Sequence, residues 1–156
     1  MTYERDGGRE TGLKVVLDTN VYVSIFNWPA SPLAELWWHA RKGTYQLFVS
    51  PVIIDELGAT LREEFSWSNA DIIHHLRLIT RVGKIVTPKT VPDVIKEDQD
   101  DNHILACSLA GKANLIVSRD LDLLRLKTYG TIGIMSPINF LYTQGFICVQ
   151  LIPDFP

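Results

Sequence analysis

The sequence from residue 13 to residue 24 reads LKVVLDTNVYVS, a short apolar run that stops at Asp18. Aliphatic runs of this length are typical of central strands in a parallel sheet that helices cover on both faces. In open α/β sheets, functional sites form at the carboxyl ends of the strands. Asp18 is therefore predicted to lie at that edge, although Asp18 or Thr19 could equally be the cap of the next helix.

The rest of the chain alternates short apolar runs with longer segments of helical period. The predicted strands are residues 13–17, 46–49, 84–86, 115–117 and 132–135. Strands that alternate with helices in this way predict crossover connections and a parallel sheet. We therefore expect a three-layer α/β/α fold with a central, mostly parallel sheet of about five strands.

Pairs of Ser and Pro predict three helix starts, because the hydroxyl can cap the helix and proline is tolerated at its first position. These pairs begin at Ser31, Ser50 and Ser136. Ser68, with Asp71 three residues later, resembles a capping box and predicts a fourth start. Two glycines, Gly43 and Gly111, lie where C-terminal caps are expected.

Composition limits the possible functions. The chain has 156 residues, of which 46% are hydrophobic, and this predicts a single globular domain. Its 15 basic and 18 acidic residues give a net charge of −3, which argues against binding nucleic acid through bulk positive charge. No apolar run approaches the roughly 20 residues of a membrane-spanning helix. Cys107 and Cys148 lack zinc or redox spacing, which predicts reduced thiols in a cytoplasmic protein.

The sequence also predicts the division of the chain. Residues 1–12 are polar and contain glycine, which indicates a flexible leader rather than a secretory signal. Residues 13–142 form the predicted domain. Residues 143–156, TQGFICVQLIPDFP, form an extension that could be an edge strand, a partner-binding strip or a covering arm.

A second acid follows the second predicted strand. Glu56 lies about one and a half turns into the helix that starts at Ser50. Most glutamates in the middle of a helix are solvated, and Asp55 fits that explanation better because it points about 100° away from Glu56. The local sequence favours Glu56 as the side chain that faces inward.

The densest acidic cluster is Glu97-Asp98-Gln99-Asp100-Asp101, just before the predicted helix of residues 102–110. Acids at a helix N-terminus complement the helix dipole, and Asp98 and Asp101 could be a cap and its partner. This explanation accounts for two of the acids. Asp101 precedes Ile104 and Leu105 by three and four residues, so its side chain should lie on the apolar side that faces the sheet.

The fourth predicted strand is followed by Ser118, Asp120 and Asp122. A turn or cap role suits Asp120, and Asp122 is typical of a solvated acid in a first helical turn. With Asp18, Glu56 and Asp101, the acids at these junctions are expected to meet at one edge of the sheet. Several carboxylates within about 5 Å of one another need protons or cations to neutralise them, and all-oxygen ligands favour Mg²⁺ or Mn²⁺.

In these stretches the chain resembles the PIN domain, the PilT N-terminal type, a family of metal-dependent nucleases. The matching stretches are VVLDTNVYVS at 15–24, SPVIIDEL at 50–57, DQDDNHILACSLAG at 98–111 and LIVSRDLDLLRL at 115–126. They occur in the order typical of the family, and with their spacing the resemblance covers essentially residues 13–142. The resemblance implies an acidic pocket at the carboxyl edge of the sheet.

The resemblance also implies roles for individual residues. Asp18, Glu56, Asp101 and Asp120 would be the catalytic acids and the metal ligands. Asn20 and Ser118 would support those acids through hydrogen bonds. Asp98 and Asp122 are extra acids of undefined role.

The activity implied is hydrolysis of RNA phosphodiester bonds with Mg²⁺ or Mn²⁺, leaving a 5′-phosphate and a 3′-hydroxyl. Many small proteins of this family resemble the toxin of a bacterial toxin–antitoxin pair, so the implied partners are RNA, an antitoxin protein and a second copy of the chain. Contacts with the substrate are poorly specified by the sequence. Side chains that could line a groove or stack on a base are Arg41, Lys42, Arg62, Arg119, Arg125, Lys127, Trp28, Trp37, Trp38 and Trp67.

Three other kinds of protein have features in common with this sequence. A phosphorelay receiver would have paired acids after the first strand and a lysine after the last, but Lys14 lies within the first strand and the last leads into Ser136. A haloacid-dehalogenase-like phosphatase would have a second Asp two residues after Asp18, where this chain has Asn20. The third is a catalytically silent PIN fold that binds nucleic acid or protein, against which the presence of all four acids argues.

Overall fold

The computed structural model describes residues 12–145. The predicted leader therefore lies outside the described residues except for Gly12, and so do residues 146–156 of the predicted extension, including Cys148. The strands are β1 (Lys14–Leu17), β2 (Gln46–Val49), β3 (Lys84–Ile85), β4 (Leu115–Val117), β5 (Thr128–Tyr129) and β6 (Ile132–Met135). The helices are α1 (Thr19–Asn27), α2 (Ala34–Lys42), α3 (Pro51–Phe65), α4 (Asn69–Val82), α5 (Asp101–Ala110), α6 (Leu121–Leu124) and α7 (Pro137–Thr143).

The strands form one sheet in the order β3-β2-β1-β4-β6-β5, within a three-layer α/β/α arrangement. Every pairing is parallel except that of β5 with β6. The predicted fold class is thus confirmed, with a sixth strand. β5 was not predicted because it has two residues and is only partly buried, so it carries no apolar signal.

Most of the predicted helix ends are also confirmed. The side chains of Ser50, Ser68 and Ser136 accept hydrogen bonds from backbone N–H groups at the starts of α3, α4 and α7. The start predicted at Ser31 is wrong, because α2 begins at Ala34 without a side-chain cap. Ser31 instead accepts a hydrogen bond from the Ala34 N–H through its backbone carbonyl, so the Ser-Pro pair forms a turn before the helix.

The core lies around the two central strands. All three residues of β4 and the last three of β1 are buried, as expected for strands with helices on both sides. Helix α5 is buried from Asp101 to Ser108 except at His103, because it packs on β1, β2 and β4 and against α3. Its acidic N-terminus is therefore held at the sheet. Among the helices of residues 12–145, none is long and apolar enough to cross a membrane.

Candidate metal centre

The acids lie at the point where the strand order of the sheet reverses, between β1 and β4. Strands β1 and β4 are parallel neighbours, but β1 continues towards β2 and β4 continues towards β6. Such a reversal leaves a crevice at the carboxyl ends of the two strands. Asp18 follows β1 directly, and Ser118 and Asp120 follow β4.

Asp18 is buried and held by three hydrogen bonds. Its Oδ1 accepts from the Thr19 N–H at 2.7 Å, so the capping interpretation is correct as well. Its Oδ2 accepts from Ser118 Oγ at 2.6 Å and from Asn20 Nδ2 at 3.3 Å. Burial raises the pKa of Asp18 to about 6, although the hydrogen bond from Ser118 and that from the Thr19 N–H oppose the rise. The hydrogen bonds therefore fix the orientation of the carboxylate, and the raised pKa means that it keeps its proton to a higher pH than an ordinary aspartate does.

Glu56 reaches the same crevice from α3. Its Oε1 accepts a hydrogen bond from Thr19 Oγ1 at 3.0 Å, which links it to the residue beside Asp18. The side chain is partly buried, and this burial raises its pKa, with a smaller contribution from the charges of Asp100 and Asp98. Asp55 is exposed, as predicted.

Asp101 is the most perturbed acid of the crevice. The residue is 5% exposed, and its buried Oδ2 has no hydrogen-bond partner among the described residues. Burial raises its pKa to about 8, and the charges of Asp120, Asp18 and Asp98 add to the rise. The predicted pairing of Asp98 with Asp101 as cap and partner is not found, because Asp98 Oδ1 accepts from the Asp100 N–H. Asp101 has no capping role that would explain its burial.

Three carboxylates lie close enough to share one cation. Asp98, Asp101 and Asp120 each offer an oxygen within 4.8 Å of the other two. Asp120 also caps α6, since its Oδ1 accepts from the Asp122 N–H at 2.8 Å. Asp98 therefore lies beside Asp101. Nothing in the sequence led us to expect this of Asp98 rather than of Asp122, the other extra acid.

The acids line a cavity of about 240 Å³. Its lining residues are Asp18, Thr19, Asn20, Val23, Glu56, Thr60, Glu64, Phe65, Asp98, Asp100, Asp101 and Asp120. Asp122 does not line the cavity and pairs with Arg125 at 3.0 Å. Sequence reasoning missed Thr60 and Glu64, although their positions four and eight residues after Glu56 place them on the same face of α3.

Two buried polar side chains hold the acids in place. Ser118 Oγ donates to Asp18 and accepts from the Asp120 N–H at 2.9 Å, so it ties the ends of β1 and β4 together. Asn102 fixes the segment before α5. Its Oδ1 accepts from the Ile95 N–H at 2.9 Å, and its Nδ2 donates to the Ile95 carbonyl at 2.9 Å and to Gln99 Oε1 at 3.0 Å. The stretch that carries Asp98 is thereby held over the crevice.

The residues fit a hard divalent cation. Several ionised carboxylates at these separations repel one another, and a bound cation relieves both that repulsion and the cost of burying the charges. The unpartnered Asp101 Oδ2 is an oxygen that such a cation would satisfy. Among residues 12–145, the cavity lining offers carboxylate, hydroxyl and amide oxygens but neither His nor Cys, which suits Mg²⁺ or Mn²⁺ better than zinc.

Comparisons with known proteins agree with the fold. A family model described as a PIN domain matches residues 14–122. An uncharacterized protein of Methanocaldococcus jannaschii, MJ1680, is 30% identical over 123 residues, which cover 74% of this chain and 76% of that protein. PAE2754 from Pyrobaculum aerophilum is similar in structure with a TM-score of 0.58 at 16% identity, covering 93% of this chain and 96% of that one. VapBC2 from Rickettsia felis, crystallised with a DNA fragment from its promoter, gives a TM-score of 0.56 at 15% identity, covering 80% and 98%.

Proposed function

This chain belongs to the PIN-domain family, and from that premise we propose that it is a metal-dependent endoribonuclease. The observation that carries the proposal is the buried, unpartnered carboxylate oxygen of Asp101 in a cavity lined by further acids. Folding a carboxyl group into such a place is costly, so a function that requires it is the better explanation. The nuclease domain is proposed to comprise residues 13–142, between the leader and the extension.

In this proposal the acids bind Mg²⁺ or Mn²⁺. Asp18, Asp101 and Asp120 would hold the ion, whereas we assign Glu56, which the resemblance also makes a ligand, to proton transfer. The ion would supply Lewis acidity towards the scissile phosphate and the attacking water. Asp98, which lies beside Asp101, contributes a further oxygen.

The side chains around the ion orient the acids and receive the proton. Ser118 and Asn20 fix the Asp18 carboxylate through their hydrogen bonds. Glu56, whose pKa is raised by burial, accepts the proton that the attacking water loses. The oxygen of that water bonds to phosphorus and the P–O3′ bond breaks. The leaving O3′ takes a proton from solvent water, which gives one fragment a 3′-hydroxyl, while the other fragment keeps a 5′-phosphate.

We further propose that the chain acts in the cytoplasm as the toxin of a toxin–antitoxin pair. Its sequence resembles such toxins, and its fold is shared with VapBC2. An antitoxin protein that covers the acidic cavity would be the partner, and a second copy of the chain would complete the assembly. A small neighbouring reading frame whose product co-purifies with this chain and blocks cleavage would support this role.

Cleavage of a fluorescently labelled single-stranded RNA tests the nuclease. We expect cleavage with Mn²⁺ or Mg²⁺, none in excess chelator, and a loss of at least 100-fold in rate for Asp18→Asn or Asp101→Asn. Asp55→Asn is the matched control, because Asp55 lies next to Glu56 but is exposed and outside the cavity. Full activity of the two Asn variants, or activity in chelator, would refute the mechanism. No cleavage together with no Mn²⁺ binding by calorimetry would favour a silent binding module.

A further inference from the structure

A second cavity, of about 400 Å³, lies beside the acidic one. Its lining is mostly apolar, with Trp28 from the end of α1, Leu33 before α2 and Leu124 from α6. Four polar side chains complete the lining: Ser24, Ser31, Arg119 and Ser136. A cavity of this size and mixed lining is typical of a site for a small organic group.

Two residues, Arg119 and Trp28, connect this cavity to the acidic one. Arg119 lies between Ser118 and Asp120, and its backbone N–H donates to Asn20 Oδ1 at 3.2 Å. Its guanidinium turns to the other side, where Nη1 donates to Ser24 Oγ at 2.6 Å. The ring of Trp28 meets the ring of Phe65 edge-on with centroids 6.1 Å apart, and Phe65 lines the acidic cavity. Arg119 and Trp28 therefore contact the linings of both cavities.

We propose that this second cavity binds a nucleobase of the RNA strand, next to the phosphate that is cleaved in the acidic cavity. The inference rests on the proposed function, because it assigns a neighbouring subsite to the same substrate. Trp28 is 54% exposed, so its indole is accessible to a base that stacks on it. Ser31 also lines the cavity and is partly exposed, so its hydroxyl can hydrogen-bond to a base edge.

The charges favour a nucleotide over a purely apolar occupant. The acidic cavity repels a polyanion, so an RNA strand needs favourable contacts just outside it. Arg119 can form such a contact with a phosphate, because no carboxylate within residues 12–145 lies at ion-pair distance from its guanidinium. A guanidinium beside an exposed indole matches a nucleotide, which combines an anionic phosphate with a π face.

Binding of a fluorescein-labelled single-stranded RNA hexamer, measured by anisotropy in chelator, tests this subsite without any cleavage. We expect Trp28→Ala to weaken binding about fivefold or more, as loss of one stacked base does. Trp28→Phe, which keeps an aromatic face, should retain affinity within about threefold of the wild type. Trp38→Ala is the matched control, because Trp38 is 51% exposed but lines neither cavity, and it should bind like the wild type.

A scan of the hexamer with single abasic nucleotides identifies the base concerned. One abasic position should weaken binding to the wild type and have no further effect on Trp28→Ala, since the two changes remove the same contact. Thermal unfolding of each variant verifies that the fold is kept. The proposal would be overturned if Trp28→Ala and the wild type bound the hexamer equally well, or if the effects were additive at every abasic position. Either result would favour another ligand for this cavity, such as an apolar side chain of a partner protein. Absence of hexamer binding by the wild type, in chelator and in Mn²⁺, would overturn it too.

The outcomes separate this inference from the nuclease proposal. If the wild type cleaves RNA and Asp101→Asn does not, while Trp28→Ala binds the hexamer normally, only the subsite is refuted. If the wild type binds the hexamer through Trp28 but cleaves nothing, the subsite is supported and the nuclease is refuted.

Discussion

Replacing Asp101 with Asn should stabilise the metal-free protein, by an amount that grows with pH. The wild-type carboxyl keeps its proton in the folded state up to a pKa of about 8, whereas its ordinary value is 3.8. As the pH rises through this window the unfolded state releases the proton first, so the stability of the wild type falls between about pH 4 and pH 8. Asn has no proton to release, so the variant does not lose stability in this way as the pH rises.

The size of the effect follows from the pKa difference. One pKa unit corresponds to about 1.4 kcal/mol, so the three units between pH 5 and pH 8 give at most about 4 kcal/mol. The cavity opens to water, which screens part of the charge, and we expect roughly half of this value, about 2 kcal/mol. Asp101→Asn should therefore gain about 2 kcal/mol over the wild type between pH 5 and pH 8.

Urea unfolding in chelator at the two pH values measures this difference. Asp55→Asn is again the control, since Asp55 is exposed and its replacement should leave the pH dependence of stability unchanged. In saturating Mn²⁺ the order should reverse, because an ion that binds the folded wild type at 100 times its Kd stabilises it by about 2.7 kcal/mol. An Asp101→Asn variant that gains no stability from pH 5 to pH 8 in chelator would refute the argument that a buried, repelled carboxylate strains the site.

Three further variants test how the site is held together. Ser118→Ala should lower the free energy of unfolding by about 1–3 kcal/mol and raise the pKa of Asp18 further, because it removes a hydrogen bond that favours the ionised carboxylate. Urea unfolding measures the first effect and NMR titration the second. An unchanged pKa of Asp18 would contradict this role of Ser118. Asn102→Ala should lower the free energy of unfolding, measured in urea, by about 2–4 kcal/mol, since it leaves the buried N–H and carbonyl of Ile95 without their partner. A loss below about 1 kcal/mol would show that other contacts hold the segment before α5. Gly111→Ala should lower the free energy of unfolding by about 1–3 kcal/mol, because its Cβ would lie 3.1 Å from the Phe48 ring, and unchanged stability would mean that the ring can move.

Local signals in the sequence predicted most of the fold. Strands β2, β4 and β6 occupy the predicted residues, because a central strand needs an uninterrupted apolar run that is visible in the sequence. The caps at Ser50, Ser68 and Ser136 were predictable for a similar reason, since a cap depends on neighbours within three residues. The start at Ser31 was wrong because the same Ser-Pro pair also suits a turn.

The candidate site was predicted in part. The acids Asp18, Glu56, Asp101 and Asp120 do line one cavity, as expected when parallel strands end at a common edge. Their proposed roles stay predictions that the variants above can test. Thr60 and Glu64 were missed because such residues on a helix are usually solvated, although their spacing from Glu56 places all three on one face of α3.

The sequence by itself determined the class of the fold, the edge of the sheet at which the acids lie and the residue types that favour a hard cation. These depend on hydrophobic period, on caps and on chain order, which are local properties. The tertiary structure decided which of two similar acids joins the cluster: Asp98 lies beside Asp101, whereas Asp122 pairs with Arg125. The physical reason is that carboxylate spacing depends on contacts between residues far apart in sequence, such as the hydrogen bond from Ser118 to Asp18.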